Sequence, residues 1–258
     1  MSKLAVTLIL LATTVAAADP ATSPTPEAIV EAADRARNPQ QAFRMTLALV
    51  DYEHARVRDR VVLAVHAKLD KGSGQFRNVI RYVEPPRDAG KLVLLDASKM
   101  WFYDPGSKTS VRISAQQRLT GQASNGDVLT VNLARDYRAK LVGEETLKDA
   151  DRTEHRAWHL DLTAATGDAI YRRLEYWVEV GTFRPVKAKF YSDSGRVLKI
   201  AYYRKFAEVL GSVRPTETVI IDAVDANLLT TVTATDFEER DIPDAWFQRD
   251  YLPRIVVE

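Results

Sequence analysis

The sequence predicts a mainly β protein with a few helices, of the α+β class, built from antiparallel strands. About ten segments alternate apolar with polar residues, as strands with one buried face do, whereas only two or three short segments have helical periodicity. The content of 46% apolar and 28% charged residues over 258 positions is typical of a globular chain. Because all-β domains of roughly 200–250 residues are common, we expect one folded domain.

The N-terminus predicts a secretory signal. Lys3 is followed by an apolar run from Leu4 to Val15 and then by the small residues Ala16 to Ala18, which is the order of a signal sequence. The run is shorter than the roughly 20 residues of a membrane-spanning helix. We therefore predict a signal peptide over residues 1–18, with a buried N-terminal helix as the alternative.

The exported part of the chain is predicted to consist of a linker at 19–25 and a single domain at 26–258. The sequence contains no cysteine, which excludes disulfides and lipidation at a cleavage-site cysteine. Loss of Lys3 with the signal leaves equal numbers of basic and acidic residues, so no net charge attracts the chain to nucleic acid. We expect a soluble, non-lipidated protein of the periplasm.

The first element after the linker is a predicted amphipathic helix. Thr25 can cap it, Pro26 suits the first helical position, and Ile29 and Val30 begin an apolar stripe that ends before Asn38. Strand patterns follow it in two groups, the first at 43–49, 61–65, 76–82, 91–96 and 99–104, and the second between 137 and 237. A short helical turn is predicted at 244–247.

The strand pair KLVLLD and KMWFYD is joined by a predicted turn at Asp96-Ala97, and this turn fixes which residues share a face. One face is wholly apolar and is assigned to the interior; it consists of Val93, Leu95, Met100 and Phe102. Trp101 and Tyr103 fall on the other face, where their polar atoms can reach water or a partner protein. The alternative is that Trp101 and Tyr103 brace neighbouring side chains.

Residues 114–135 interrupt the strand pattern. They are polar at first and then form a short helical candidate with Val128, Leu129 and Leu133. A loop of this length inside a compact domain is usually functional or mobile. We interpret it as a lid, with an ordinary surface crossover as the alternative.

The apolar strand faces are more than the few helices can cover. The sheet must therefore pack on itself as a sandwich or closed barrel, or curl around the helices and leave a hydrophobic cavity. Periodicity alone does not choose between these solutions.

Patterns that carry chemistry are not found. The sequence has no thiol nucleophile, G-x-S-x-G elbow, P-loop or H-E-x-x-H motif. His155 and His159 would share one strand face, but such a pair without a third ligand is more typical of a surface than of a metal site. We predict no enzyme activity, no metal and no cofactor, with a secreted hydrolase that uses His155 or His159 as the minor alternative.

The segment KLVLLDASKMWFYDPGSKTSVRI resembles the strand, tight turn and W-F-Y-[ND]-P strand end of the periplasmic lipoprotein carrier family LolA. FRNVIRYVEPP is similar to the family's preceding aromatic strand, and the N-terminal helix and later strands occur in matching order. The stretches KLVGEETLKD, YWVEVGTFRPVKAKFYSDSGRVLK and IPDAWFQRDYL resemble the longer outer membrane lipoprotein-sorting relatives associated with lipid transporters of the resistance-nodulation-division superfamily.

The resemblance implies an incomplete barrel, formed by a single curved antiparallel sheet around helices, with a hydrophobic cavity for acyl chains. The expected function is a carrier that shuttles lipids or lipoproteins between the inner and outer membranes, with a transporter as donor and an outer-membrane acceptor. The alternative is an envelope lipid sensor, or an accessory module that docks on such a transporter or on a regulatory protein. Under that alternative, Trp101 and Tyr103 are the partner-docking candidates, together with the lid loop.

The expected lipid-binding residues are Met45, Leu47, Leu49, Leu63, Val65, Phe76, Ile80, Tyr82, Val93, Leu95, Met100, Phe102, Trp158, Leu160, Tyr176 and Val178. The expected lid residues are Ile29, Val30, Val128, Leu129 and Leu133. One departure from the family concerns the arginine that follows its second strand and latches its lid. The matching region HAKLDKGSG has no arginine, so Lys68 or Lys71 would have to replace it, and lysine is not equivalent to arginine in such hydrogen bonding.

Overall fold

The computed structural model describes residues 23–96 and 99–255, so the predicted signal peptide and most of the predicted linker lie outside the described residues. Helix α1 spans Pro26–Arg37, and its N-cap Thr25 accepts a hydrogen bond from the backbone N–H of Ala28. It ends before Asn38. The prediction of a capped helix that begins at Pro26 and ends at Asn38 is confirmed.

The described residues form fifteen strands. In chain order these are β1 (Phe43–Glu53), β2 (Arg56–Asp70), β3 (Gln75–Glu84), β4 (Leu92–Asp96), β5 (Lys99–Asp104), β6 (Thr109–Ile113), β7 (Arg118–Thr120), β8 (Ala123–Ser124), β9 (Tyr137–Lys148), β10 (Glu154–Ala164), β11 (Arg173–Glu179), β12 (Pro185–Tyr191), β13 (Val197–Val209), β14 (Ser212–Asp222) and β15 (Leu228–Glu239). Between β8 and β9 lie a 3-10 helix, Asn125–Val128, and the short helix α2, Leu133–Asp136. Two more 3-10 helices, Asp244–Phe247 and Arg249–Arg254, follow β15.

Thirteen of the strands form one antiparallel sheet in the order β6-β5-β4-β3-β2-β1-β15-β14-β13-β12-β11-β10-β9. The two groups meet through the pairing of β1, the first strand of the first group, with β15, the last strand of the second group. Among the described residues β6 and β9 remain edge strands, so the sheet does not close into a barrel. A mainly β protein with a single open antiparallel sheet is therefore confirmed, and the sandwich or closed barrel is excluded.

The two faces of the sheet are covered differently. We call the face that packs against α1 the inner face; Ile29, Val30 and Ala33 of the helix are buried there in the largest apolar cluster. That cluster includes Leu47, Leu63, Val65, Ile80, Leu160, Leu174, Tyr176, Ala201 and Val232 of the strands. Burial of apolar area at about 25 cal/mol per Å² makes this inner core the main source of stability.

The opposite, outer face is covered in part by the C-terminal segment, residues 242–255. Ile242, Phe247 and Leu252 of this segment are buried against Leu94 and Tyr103 of the sheet. Lys68 donates hydrogen bonds to the carbonyl of Ile242 and to the carboxylate of Asp244, both at 3.0 Å, and so ties the segment to β2. The predicted turn at 244–247 is confirmed, whereas the second 3-10 helix was not predicted.

The register of β4 with β5 agrees with the expected facing. Leu95 pairs with Met100 and Val93 with Phe102, while Leu94 pairs with Trp101. Val93, Leu95 and Met100 are buried in the inner core, and Phe102 is partly buried against it.

None of the helices in the described part of the chain has both the length and the apolar composition needed to cross a bilayer.

Candidate functional site

A segment of the chain crosses the inner face between β8 and β9. We call residues 125–136 the crossing segment; it contains the first 3-10 helix and α2 rather than the single short helix predicted. Val128, Leu129 and Leu133 of this segment, and Ile29 and Val30 of α1, are all buried in the inner core. All the side chains assigned to a lid thus cover the inner face, and their opening and closing stays a prediction.

The middle of the crossing segment is held by Asn78 of β3. Asn78 Oδ1 accepts a hydrogen bond from the backbone N–H of Thr130 at 2.9 Å, and Asn78 Nδ2 donates to the carbonyl of Thr130, also at 2.9 Å. The Asn78 side chain is fully buried. One amide group therefore satisfies both backbone groups of a buried residue, as a neighbouring strand would.

Three further residues hold the segment near the C-terminus of α1 and the start of β3. Arg37 Nη2 and Asn38 Nδ2 both donate to the carbonyl of Val131, at 2.6 and 2.8 Å. Gln75 accepts from the backbone N–H of Asn132 at 2.7 Å and donates to the carbonyl of the same residue at 3.1 Å. These contacts reach backbone atoms of the segment rather than its side chains.

The hydrogen bond from Arg37 to Val131 comes from a different element than the one expected to hold the lid. Lys68 was expected to replace the family's arginine latch, but its ammonium group binds the C-terminal segment on the outer face. Lys71 is exposed in the turn between β2 and β3. Arg37 of α1 instead supplies the guanidinium that reaches the crossing segment.

The start of the crossing segment is anchored by a buried ion pair. Lys199 of β13 forms a short contact with the carboxylate of Asp127, and both side chains are less than one-tenth exposed. Ser124 and Tyr171 donate to the same carboxylate at 2.9 and 3.0 Å. At Gly126 the backbone runs so close to Ile170 that an added Cβ would lie 2.6 Å from a side-chain methyl carbon.

Two pockets lie on either side of the crossing segment. The first, of about 170 Å³, has a floor of small and apolar side chains from β11 to β15, including Leu174, Ala188, Ala201, Ile220 and Val232. The second, of about 690 Å³, is more polar and lies beside β3, β5 and β6. Four residues contribute to the lining of both pockets: Leu129, Val131, Asp136 and Ile170. Those four residues therefore form the wall between the pockets.

The predicted lipid-binding residues all lie on the inner face, but only some reach a pocket. Met45 and Leu47 line the first pocket, and Phe76, Leu95 and Met100 line the second. The others pack in or against the inner core without lining either pocket, namely Leu49, Leu63, Val65, Ile80, Tyr82, Val93, Phe102, Trp158, Leu160, Tyr176 and Val178. Contact of any of these residues with lipid stays a prediction.

Trp101 and Tyr103 were predicted to be available to a partner protein, but the chain's own C-terminal segment packs against both of them. Tyr103 is 5% exposed and packs beneath the C-terminal segment. Trp101 is partly buried against the same cluster, with the guanidinium of Arg249 4.9 Å from its ring centre. These side chains lie on the outer face as expected, but the chain's own C-terminal segment occupies the surface that was assigned to a partner.

Sequence reasoning missed the residues that hold the crossing segment. Asn78 occupies an inward position between Phe76 and Ile80, and Lys199 occupies an inward position near Ala201. A polar side chain at a position that strand alternation assigns to the core is the signal that could have identified both, because such groups require a partner.

His155 and His159, the two histidines considered as candidate catalytic residues, lie on the outer face in contact with acidic side chains. His155 lies between Asp149 and Glu179, with nitrogen to oxygen distances of 2.9 and 2.8 Å. His159 stacks on Trp177 with ring centres 4.3 Å apart. In the described part of the chain, no group of three or more histidine, cysteine or acidic side chains is arranged to hold a metal ion.

Comparison with known proteins places this fold in a family. This chain is similar to a LolA superfamily protein from Nitrosomonas europaea of known crystal structure. The two sequences are 31% identical, the match covers 89% of this chain and 100% of the Nitrosomonas chain, and the structures superpose with a TM-score of 0.78. This chain belongs to the LolA superfamily. A family model described as "Uncharacterized protein" also matches residues 74–254.

More distant structures share the LolA superfamily fold. A DUF1329 family protein from Desulfovibrio piger is 19% identical over 88% of this chain and 97% of its own, with a TM-score of 0.71. A putative outer membrane lipoprotein-sorting protein domain from Vibrio parahaemolyticus is 16% identical over 89% and 98%, with a TM-score of 0.70. No curated protein matches this chain. At these identities the two structures support the fold alone.

Replacing Asn78 by alanine should loosen the crossing segment. The substitution leaves the N–H and C=O of Thr130 buried and unpaired, which costs about 1–3 kcal/mol. Hydrogen exchange measured by mass spectrometry should show faster exchange for residues 129–136, by about tenfold for each 1.4 kcal/mol, with the sheet unaffected. The matched control is Asn227→Ala at an exposed position beside β15. Equal protection of residues 129–136 in both variants would contradict the role of Asn78.

Proposed function

We propose that this LolA superfamily protein is a non-catalytic carrier that binds the acyl chains of a lipid or lipoprotein on the inner face of its sheet. It carries them across the periplasm, between a donor in the inner membrane and an acceptor in the outer membrane. The observation that carries this proposal is the pair of pockets on the inner face, which are separated by Leu129, Val131 and Asp136 of the crossing segment together with Ile170.

The first pocket has the chemistry of an acyl-chain site. Its floor is apolar and contains small side chains at Ala188 and Ala201, which leave room above the sheet. Transfer of a methylene group from water to such a surface contributes about 0.8 kcal/mol, so even a chain of moderate length supplies substantial binding free energy. No covalent chemistry is needed for this function.

The crossing segment must move for a long chain to enter. A volume of about 170 Å³ is below the roughly 300–1,000 Å³ of ordinary ligand pockets. Displacement of Leu129 and Val131, which belong to the wall between the pockets, would join the first pocket to the larger one. The hydrogen bonds from Asn78, Asn38 and Arg37 can break without unfolding the sheet, so the crossing segment acts as the lid.

The proposal is tested by extraction and mass spectrometry of any lipid that copurifies with the protein from the periplasm of its host. The delipidated protein is then titrated with a fluorescent fatty-acyl probe. We expect bound lipid and saturable probe uptake that strengthens with chain length. Protein that carries no lipid and takes up no probe at any chain length would overturn the proposal.

Filling the first pocket should abolish probe uptake. Ala201→Phe places an aromatic ring on the pocket floor, so we expect loss of saturable binding. The matched control, Ala207→Phe, makes the same change at an exposed position of the same strand and should bind like the wild type. Circular dichroism and thermal unfolding establish that both variants fold. Undiminished uptake by folded Ala201→Phe would place the lipid elsewhere.

A further inference from the structure

The strand β9 ends the sheet, and its free side pairs with no other strand in the described part of the chain. It has 12 residues, whereas β6 at the other edge has five. At about 3.4 Å per residue, the free side of β9 is about 40 Å long. Native proteins usually keep edge strands short or covered, because their unpaired backbone N–H and C=O groups can bind another strand. The free side of β9 can therefore accept a strand from another chain.

The middle of β9 exposes apolar side chains. Val142 is 58% exposed and Leu141 is 37% exposed. Val142 is a bulged residue without a partner on β10, because Leu141 pairs with Leu160 and Gly143 with His159. Beside the bulge, Gly143 has no atom within 4 Å of the position that a Cβ would occupy. A strand that lies along β9 would cover both apolar side chains, and its own side chains would have room opposite Gly143.

The charges of β9 are divided between its two halves. Arg138 and Lys140 precede the exposed apolar pair, and Glu144 and Glu145 follow it. In the part of the chain that the structure describes, the two cations form no ion pair. The two carboxylates accept hydrogen bonds from within the chain, but their side chains remain 37% and 49% exposed. The order basic, apolar, acidic is complementary to itself when a second strand runs in the opposite direction.

We propose that two copies of this chain associate through β9, with the two strands antiparallel about a two-fold axis. With the axis between Val142 and Gly143, Lys140 of each copy lies opposite Glu145 of the other. Lys140 and Glu145 share the outer face, because they pair with residues four apart on β10. Val142 lies opposite the open position at Gly143, and the bulges of the two copies meet, so the bends of the two strands match.

The pairing joins the sheets of the two copies into one continuous sheet. Only one strand from each copy takes part, so we expect weak and reversible association. It needs no lipid and is independent of the proposed carrier function.

Sedimentation equilibrium of the purified, delipidated protein at about 1–500 µM tests this pairing, because that range covers weak interfaces. We expect the average mass to rise from that of one chain towards that of two as the concentration increases. Val142→Lys places like charges beside the axis in both copies, so the dissociation constant should rise by about tenfold or more. The matched control is Val111→Lys on β6, where the valine is 52% exposed; it should associate like the wild type.

An exchange of charges distinguishes the antiparallel pairing from other contacts. Lys140→Glu and Glu145→Lys should each weaken self-association, because each variant places like charges opposite one another. An equimolar mixture of the two variants should associate like the wild type, since each lysine then faces a glutamate. Circular dichroism and thermal unfolding establish that every variant folds, and the comparison of Val142→Lys with Val111→Lys stands even if Glu145→Lys does not fold.

A wild type that stays monomeric up to about 500 µM would overturn the proposal and leave the β9 edge to an extended segment of a different protein. Association that Val142→Lys leaves unchanged would overturn it as well, because the contact would then lie elsewhere. The same holds if the mixture of folded Lys140→Glu and Glu145→Lys associates no better than either variant alone.

Discussion

Replacing Lys199 by methionine should destabilise the protein by about 3–5 kcal/mol, the usual cost of removing one partner of a buried ion pair. Methionine keeps most of the apolar length of the side chain but leaves the carboxylate of Asp127 buried without its cation. Ser124 and Tyr171 still donate hydrogen bonds to that carboxylate, but they bring no charge. Urea unfolding followed by tryptophan fluorescence measures the change in free energy.

The double variant Lys199→Met, Asp127→Asn separates the buried charge from the lost contacts. Removing both charges should recover much of the loss, because no uncompensated charge then remains in the inner core. Asp127→Asn alone should again destabilise, since it leaves Lys199 without its anion. A loss below about 1 kcal/mol in Lys199→Met would mean that the pair is solvated, as exposed pairs are.

Acid should weaken the protein through His66, by up to about 3 kcal/mol if each pKa unit is worth 1.36 kcal/mol. His66 of β2 is fully buried on the outer face, with its ring 5.4 Å from that of Trp246 in the C-terminal segment. Burial, followed by the positive charges of Arg44 and Arg240, lowers the pKa of His66 to about 4.

The sign of the effect follows from where the proton binds. Between the ordinary pKa of 6.5 and the lowered value of about 4, the unfolded chain takes up a proton that the folded chain refuses. The contribution of neutral His66 to stability is therefore fully present above about pH 6.5 and is lost as the pH falls to about 4. His66→Leu removes this titration, so the difference in unfolding free energy between wild type and variant should shrink on acidification.

His155 provides the contrasting control. Burial opposes its charged form, but the hydrogen bonds to Glu179 and Asp149 outweigh that effect and raise the pKa of His155. Its contribution is present below the ordinary pKa and is lost as the pH rises through the raised value, so His155→Gln should cost more stability at pH 5.5 than at pH 9. Parallel pH profiles for His66→Leu and His155→Gln would contradict both assignments.

The strand pattern was enough to predict the face of each residue in β4 and β5. Leu95 and Met100 were assigned to one face because side-chain period and turn position fix the register, and the observed pairing agrees. The same pattern could not show that Tyr103 is covered. That depends on residues about 140 positions later in the chain, where Phe247 and Leu252 pack on the same surface, and a local period carries no information about such contacts.

The polar contacts of the candidate site were out of reach for a similar reason. Asn78 and Arg37 act on Thr130 and Val131, which are distant in sequence, and their roles depend on where the crossing segment passes over the sheet. Resemblance to the LolA family pointed only to the region after the second strand, where Lys68 or Lys71 was expected to replace the family's arginine. The structure supplies it from α1, because the C-terminal end of this helix lies beside the segment.

The amide of Asn78 and the guanidinium of Arg37 form hydrogen bonds with backbone atoms of the crossing segment. Every amino acid except proline has both a backbone N–H and a backbone C=O. Side chains at 129–131 can therefore change without removing these hydrogen bonds, and the effect of a change at Leu129 or Val131 falls on packing in the inner core. Selection for a new cargo could thus change the side chains of the crossing segment that line the pocket while these hydrogen bonds are kept. Within 129–131, proline at position 130 would remove the N–H that Asn78 accepts from.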